Sequence, residues 1–320
     1  MFKVSIGIPR ALLYYDFLPH VDTFFKALGV EVIISPPTTK KIIEKGNQLS
    51  IDEACLPVKV CMGHLAYFED TKVDGVFLPR VISIEKNKFI CPKFLGLPDY
   101  AKGALKGKIN IFSPDIKISS LKEFTDSLTY FSKELSIPKK NVITALKEVN
   151  KSYGRYKDKL TSGTNLIDFI DKKNSPKKDL KIALLGHGYN IYDKGINLDI
   201  FDKMTECAEV KTIEMYTEKE LAMGRQELPK PLFWTYGEKI LAAALYSLKY
   251  SDVDGIVVVT AFGCGPDSFI TELIGQAQRN YTKTPLMTLT LDEHSAEAGL
   301  VTRLEAFTDL LTLRRKKLWA

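Results

Sequence analysis

Three of the five cysteines stand where a thiolate could do chemistry. Cys55 lies in Asp52-Glu53-Ala54-Cys55-Leu56-Pro57-Val58-Lys59, and Pro57 suits the first turn of a helix. Cys55 is therefore expected near a helix N-terminus, where unpaired amides and the helix dipole favour the ionised thiol. Cys91 precedes Pro92, and a Cys-Pro pair also closes the bacterial ferredoxin cluster motif. Cys264 stands between Gly263 and Gly265, before Pro266. Glycines on both sides let the backbone approach a bulky group and point amides at its sulfurs. Together these residues read as metal or cluster ligands. Structural zinc is the rival, but its paired Cys-x₂₋₄-Cys knuckles are missing. Three isolated thiolates would leave one iron of a [4Fe–4S] cube without a protein thiolate, a position suited to substrate binding or strongly reducing chemistry. The other two cysteines read as structural. Cys61 falls on the other side of the helix that Cys55 opens, about 120° round at ~100° per residue. Cys207 ends an amphipathic helix and is expected to be a small buried hydrophobe.

Other polar groups have weaker patterns. Gly186-His187-Gly188-Tyr189-Asn190 follows an apolar run as a phosphate loop would, but Ile191 replaces the third glycine of G-x-G-x-x-G, which argues against a dinucleotide site. Asp292-Glu293-His294 follows another apolar run and could supply acid–base groups or simply cap the next helix with Ser295. Arg10, after Pro9, could take an anionic phosphate or carboxylate bidentately or form a surface salt bridge.

The elements that must position these groups alternate as strand and helix, the pattern of doubly wound α/β domains. Strands are expected at 3–8, 30–35, 75–78 and 109–112, then at 180–185, 210–215, 255–260 and 286–291. Helices are expected at 12–28, 39–45, 58–69, 119–135 and 139–156, then at 198–207, 233–249, 267–280 and 296–313. With 320 residues, two domains are expected: 1–160 carrying Cys55 and Cys91, a linker at 161–178, and 179–320 carrying Cys264. Val73-Asp74-Gly75-Val76 recurs as Val253-Asp254-Gly255-Ile256, which suggests related modules. In such sheets ligands sit beyond the carboxyl ends of the strands, the edge on which Cys91 and Cys264 fall. The net charge of +6 is not a nucleic-acid signal. Residues 151–180 carry eight Lys/Arg against four Asp, and Arg314-Arg315-Lys316-Lys317 form a basic tail. Both read as solvated segments lacking the interleaved aromatics of a single-strand groove. No run of about 18 apolar residues is present, and the N-terminus does not read as a signal peptide. A cytoplasmic, reducing setting is expected, with no membrane and no nucleic acid as partner.

Ile6-Gly7-Ile8-Pro9-Arg10-Ala11-Leu12, Asp52 to Lys59, Ile90-Cys91-Pro92-Lys93-Phe94-Leu95-Gly96-Leu97-Pro98-Asp99, Gly263-Cys264-Gly265-Pro266-Asp267-Ser268 and Asp292-Glu293-His294 resemble the acyl-CoA dehydratase activase-related (DUF2229-like) proteins. These are similar to the iron–sulfur component of 2-hydroxyacyl-CoA dehydratases and benzoyl-CoA reductases. The resemblance runs from Lys3 to the helix at Leu304-Glu305-Ala306-Phe307. It implies two Rossmann- or flavodoxin-like domains with a cleft between them, and one [4Fe–4S] cluster there on Cys55, Cys91 and Cys264, flanked by Gly263 and Gly265. It also implies low-potential electron transfer in anaerobic metabolism, with electrons supplied in trans by an ATP-hydrolysing activase of actin-like nucleotide fold. A second copy or a related subunit is a further expected partner. His187, Asp292, Glu293 and His294 are the candidate catalytic groups and Arg10 the candidate substrate contact. Two other readings stay open: a non-catalytic assembly module of an activase system, and a zinc hydrolase using His187 or His294.

Overall fold

The computed structural model describes residues 4–117, 121–164, 166, 178–228, 230–250, 252–281 and 284–318. Two compact units divide the chain: Met1–Tyr156 with Phe233–Thr235, and Lys157–Leu232 with Tyr236–Ala320. The expected linker at 161–178 lies outside the described residues apart from its ends.

The first unit runs β1 (Ser5–Ile8), α1 (Tyr14–Leu28), β2 (Glu31–Ile34), α2 (Lys40–Leu49), α3 (Leu56–Tyr67), β3 (Gly75–Phe77), β4 (Arg80–Ser83), α4 (Pro92–Leu105), β5 (Ile111–Phe112), β6 (Asp115–Lys117), α5 (Leu121–Glu134) and α6 (Lys139–Thr161). Its main sheet has the order β2-β1-β3-β5, all pairs parallel. A parallel pair, β4 and β6, continues beyond it. The strands expected to end at Leu78 and Phe112 are followed by Pro79 and Pro114. A proline cannot donate to the ladder, so the pairing breaks there and then resumes. The core centres on Phe25, Phe77 and Phe131, whose ring centroids lie 5.1 to 6.1 Å apart.

The second unit runs β7 (Leu180–Leu185), α7 (Gly188–Tyr192), α8 (Lys194–Asn197), α9 (Ile200–Cys207), β8 (Ala208–Thr212), α10 (Glu218–Arg225), α11 (Thr235–Tyr250), β9 (Gly255–Ala261), α12 (Gly265–Asn280), β10 (Leu286–Leu291) and α13 (Glu297–Leu318). Its sheet order is β10-β9-β7-β8, again all parallel. Every residue of β9 is buried, as expected of a strand covered on both faces. The chain is thus a mixed α/β protein of doubly wound type.

Counted within each sheet, both orders read 2-1-3-4, the flavodoxin-like arrangement. The repeated tetrapeptide does the same work in both. Asp74 Oδ2 accepts from the Ser5 backbone at 2.7 Å while the Asp74 N–H donates to the Ser5 carbonyl at 2.9 Å. Asp254 Oδ2 accepts from the Lys181 backbone at 2.8 Å while the Asp254 N–H donates to the Lys181 carbonyl at 2.7 Å. Each aspartate pins the start of the third strand to the first.

Two helical glycines set the position of α3. A Cβ on Gly63 would lie 2.0 Å from the Ile42 carbonyl oxygen, and one on Gly46 would lie 1.9 Å from that of Lys59. Helices α2 and α3 therefore touch backbone to backbone, and α3 is buried from Leu56 to Ala66. Gly63→Ala is expected to cost about 1–3 kcal/mol through overpacking. Gly103→Ala in α4, where nothing lies within 4 Å of the added methyl, is expected to stabilise by about 0.5–1 kcal/mol. Urea denaturation of the two variants checks both signs.

Candidate functional site

In a 2-1-3-4 sheet the connections leaving the first and third strands run to opposite faces, and a crevice opens beyond their carboxyl ends. In the second unit those strands are β7 and β9, so the crevice is bounded by Gly186-His187 and Phe262-Gly263-Cys264. Gly263 turns the chain at φ +76°, a conformation that costs a side chain 1–2 kcal/mol or so. Gly265 faces open space and so meets no steric demand of its own. Cys264 is the N-cap of α12, and Asp267 sits in that helix's first turn.

His187 Nε2 donates to Asp267 Oδ1 at 2.9 Å, with both side chains buried. The imidazole stacks on Tyr189 at 4.8 Å and meets the edge of Tyr236 at 5.4 Å. Burial alone would raise the Asp267 pKa, but the His187 charge and hydrogen bonds from His187 and Cys264 outweigh it and hold the carboxyl below its usual value. The helix dipole of α12 acts in the same direction. Hydrogen bonding thus links the half-buried Cys264 to the buried Asp267 and His187. Asp267 lay inside a motif quoted from the sequence, yet only the fold shows its pairing with a histidine 80 positions away.

The first unit supplies the other two cysteines. Cys55 is the N-cap of α3, with Pro57 in the first turn, and Cys91 is the N-cap of α4, with Pro92 at the first position. The sequence pattern predicts no helix at 92–105, a stretch that holds Gly96 and Pro98. The helix survives Pro98 because Phe94, Leu97, Ala101 and Leu105 bury one face. Arg80 anchors that helix, donating to the Leu95 carbonyl at 2.6 Å and pairing with Asp99 at 2.8 Å. Just before Cys91, the Phe89 N–H donates to the Phe233 carbonyl at 3.1 Å and the two rings stack at 4.9 Å. In none of the three cysteine caps does the side chain accept a hydrogen bond from its own helix.

The remaining cysteines differ in kind. Burial pushes the Cys61 thiol up to about 12, which leaves it inert. Cys207 is exposed, contrary to the expected burial, because it ends α9 where the chain turns into β8. Among the described residues, no three His, Cys, Asp or Glu side chains are grouped so as to hold a metal ion.

The other candidates separate. Arg10 follows β1, donates through Nε to the Ser35 carbonyl at 3.3 Å and lies 5.5 Å from the Tyr14 ring centre. Asp292 accepts from the His294 backbone at 2.9 Å and from the Ser295 hydroxyl at 3.1 Å, an Asx-turn that precedes α13, which begins only at Glu297, and His294 is exposed. The sequence reading passed over His64 of α3. It is fully buried, with Nδ1 2.8 Å from Ser35 Oγ and Nε2 2.9 Å from Thr38 Oγ1.

The model of the CoA enzyme activase uncharacterised domain (DUF2229) matches residues 5–216, more than half of the chain. The chain belongs to this family. The matched residues include Arg10, Cys55, Cys91 and His187, whereas Cys264 and Asp292–His294 lie beyond them. No curated protein matches. Among solved structures, a LacI family transcriptional regulator from Arthrobacter sp. FB24 in complex with lactose aligns over 99% of this chain and 92% of its own, at 11% identity and a TM-score of 0.21, too low a score to carry a structural or functional conclusion. Among the described residues no helix is long and apolar enough to cross a membrane.

Burial, then the charge of Arg10, lowers the His64 pKa from 6.5 to about 3. Folding therefore needs this imidazole neutral. Its contribution to stability is complete above pH 6.5 and is lost as pH falls below it, by about 1.4 kcal/mol per pH unit. His64→Gln is expected to lack that component, so the stability gap between wild type and variant should narrow on acidification in urea titrations.

Proposed function

We propose that this member of the CoA enzyme activase family is the iron–sulfur component of an activase system, with one [4Fe–4S] cluster ligated by Cys55, Cys91 and Cys264. The observation that supports this is the division of the cysteines. Three are helix N-caps followed within two residues by proline, one is an inert buried thiol, and one is exposed at a helix end. A thiolate at a helix N-terminus is favoured by the dipole and by the first-turn amides, and it is the thiolate that binds iron. The donor set therefore fits a soft, thiolate-bound cluster better than zinc, whose structural sites use paired cysteines.

When bound, the cluster would supply one-electron, low-potential chemistry. The protein residues would hold and surround it. Prolines at 57, 92 and 266 fix the first turns that carry the three thiols. The positive φ of Gly263 sets the approach to Cys264. Asp267, anchored by His187, accepts a hydrogen bond from the Cys264 thiol and so orients it before ligation. An ATP-hydrolysing activase with an actin-like nucleotide fold is the proposed electron donor in trans, and the setting is cytoplasmic and anaerobic.

Protein prepared without oxygen tests the ligand set. Cys55→Ala, Cys91→Ala and Cys264→Ala should each lose most of the bound iron, while Cys207→Ala should keep it. Full iron in any of the first three variants, with an unchanged circular dichroism spectrum, would remove that residue from the set.

A further inference from the structure

The first unit contains a cavity of about 180 Å³ that plays no part in the proposed cluster site. It lies between α1, the carboxyl ends of β1 and β3, and helices α4 to α6. Its walls are aromatic and aliphatic, with Phe17, Phe24, Phe77, Phe94 and Phe124 among them. Cys61 also lines it, but its raised pKa makes that thiol a wall and not a nucleophile.

Tyr14 and His20 are the other lining residues with polar side-chain atoms, and the imidazole of His20 is the one in question. It lines the cavity, and both its ring nitrogens are buried without a hydrogen-bond partner among the described residues. The ring meets the edges of Tyr153 at 5.0 Å and Tyr156 at 5.4 Å, which fixes its plane. Burial lowers its pKa, so at neutral pH it offers one N–H donor and one bare nitrogen acceptor. Buried polar groups are nearly always paired, and an unpaired donor or acceptor is a cost that a ligand can remove.

Size narrows the occupant. An apolar cavity of roughly 150 Å³ lined by Leu, Ile and Phe accepts benzene, so this one holds a single six-membered ring with a small substituent. Phenylalanine walls favour an aromatic ring through edge-to-face contact. The unpaired imidazole favours one hydroxyl, carbonyl or N–H on that ring, whereas a charged group would be strongly disfavoured in such walls. We propose that this cavity is a binding site for a small neutral aromatic molecule carrying one hydrogen-bonding group, of which phenol is the simplest example. The assignment does not depend on the cysteines or on the cluster.

Phenol and toluene have nearly the same shape and differ in the hydroxyl, so calorimetric titration of the full chain with each isolates the role of His20. Wild type is expected to bind both saturably, phenol about tenfold more tightly, as one hydrogen bond supplies. His20→Phe should keep toluene binding and lose the preference. Leu13→Phe, at the rim of the cavity, should weaken both. A measurement that needs no altered fold is the His20 ring resonance in wild type, identified by its loss in His20→Phe, which should shift with phenol and less with toluene. Absence of saturable binding by either compound, equal affinity for both, or an unmoved His20 resonance at saturating phenol would each overturn the proposal.

Discussion

A right-handed crossover between parallel strands is the constraint from which both units follow. Once the first strand has the second on one side and the third on the other, the loops leaving the first and third strands are driven to opposite faces. The gap between them is where polar groups can gather without disturbing a core that is otherwise apolar. Asp74 and Asp254 fasten the third strand to the first at the opposite end, so the register of that pair, and with it the place of each loop, is fixed from below.

What collects at the second unit's gap is a buried histidine–aspartate pair. An aspartate as buried as Asp267 could not stay ionised on its own. His187 and the start of α12 together supply the compensation, and the thiol of Cys264 lies against the result. The first unit uses the same site for another purpose. Arg10 and His64 tie β1, β2 and α3 together through Ser35, and its cysteines stand at the starts of α3 and α4. Helix N-termini are thus the shared device, and the two units differ in what they place beside them.

Much of this was legible in the sequence. Apolar runs located the eight main strands, best where a strand is buried and nearly continuous in hydrophobicity, as β7 and β9 are, and less well at β8, whose burial alternates and whose expected end at 213–215 is a helical turn. Pro57 announced the start of α3 and the thiol before it. The tetrapeptides ending in Gly75-Val76 and Gly255-Ile256 indicated a shared design that the hydrogen bonds of Asp74 and Asp254 explain. Other features were hidden for physical reasons. Helix α4 begins at a proline and contains another, so local propensity opposed it, and only burial of Phe94, Leu97 and Ala101 decides for it. Strands β4 and β6 follow prolines and are too short to show a period. The pairing of His187 with Asp267, and of His64 with Ser35 and Thr38, depends on chain separation that no local pattern encodes. Cys207 was expected inside because its helix is amphipathic, yet the last turn carries it out of the core.

The three N-capping thiols are proposed to hold one iron–sulfur cluster. Iron and acid-labile sulfide analysis of the anaerobically purified wild type, with an electron paramagnetic resonance spectrum after reduction, tests it most directly. Iron and sulfide are expected in equal amounts, with the paramagnetic signal of a reduced [4Fe–4S] cluster. Colourless protein holding zinc without sulfide, or a folded chain that takes up no iron when iron and sulfide are supplied without oxygen, would contradict it.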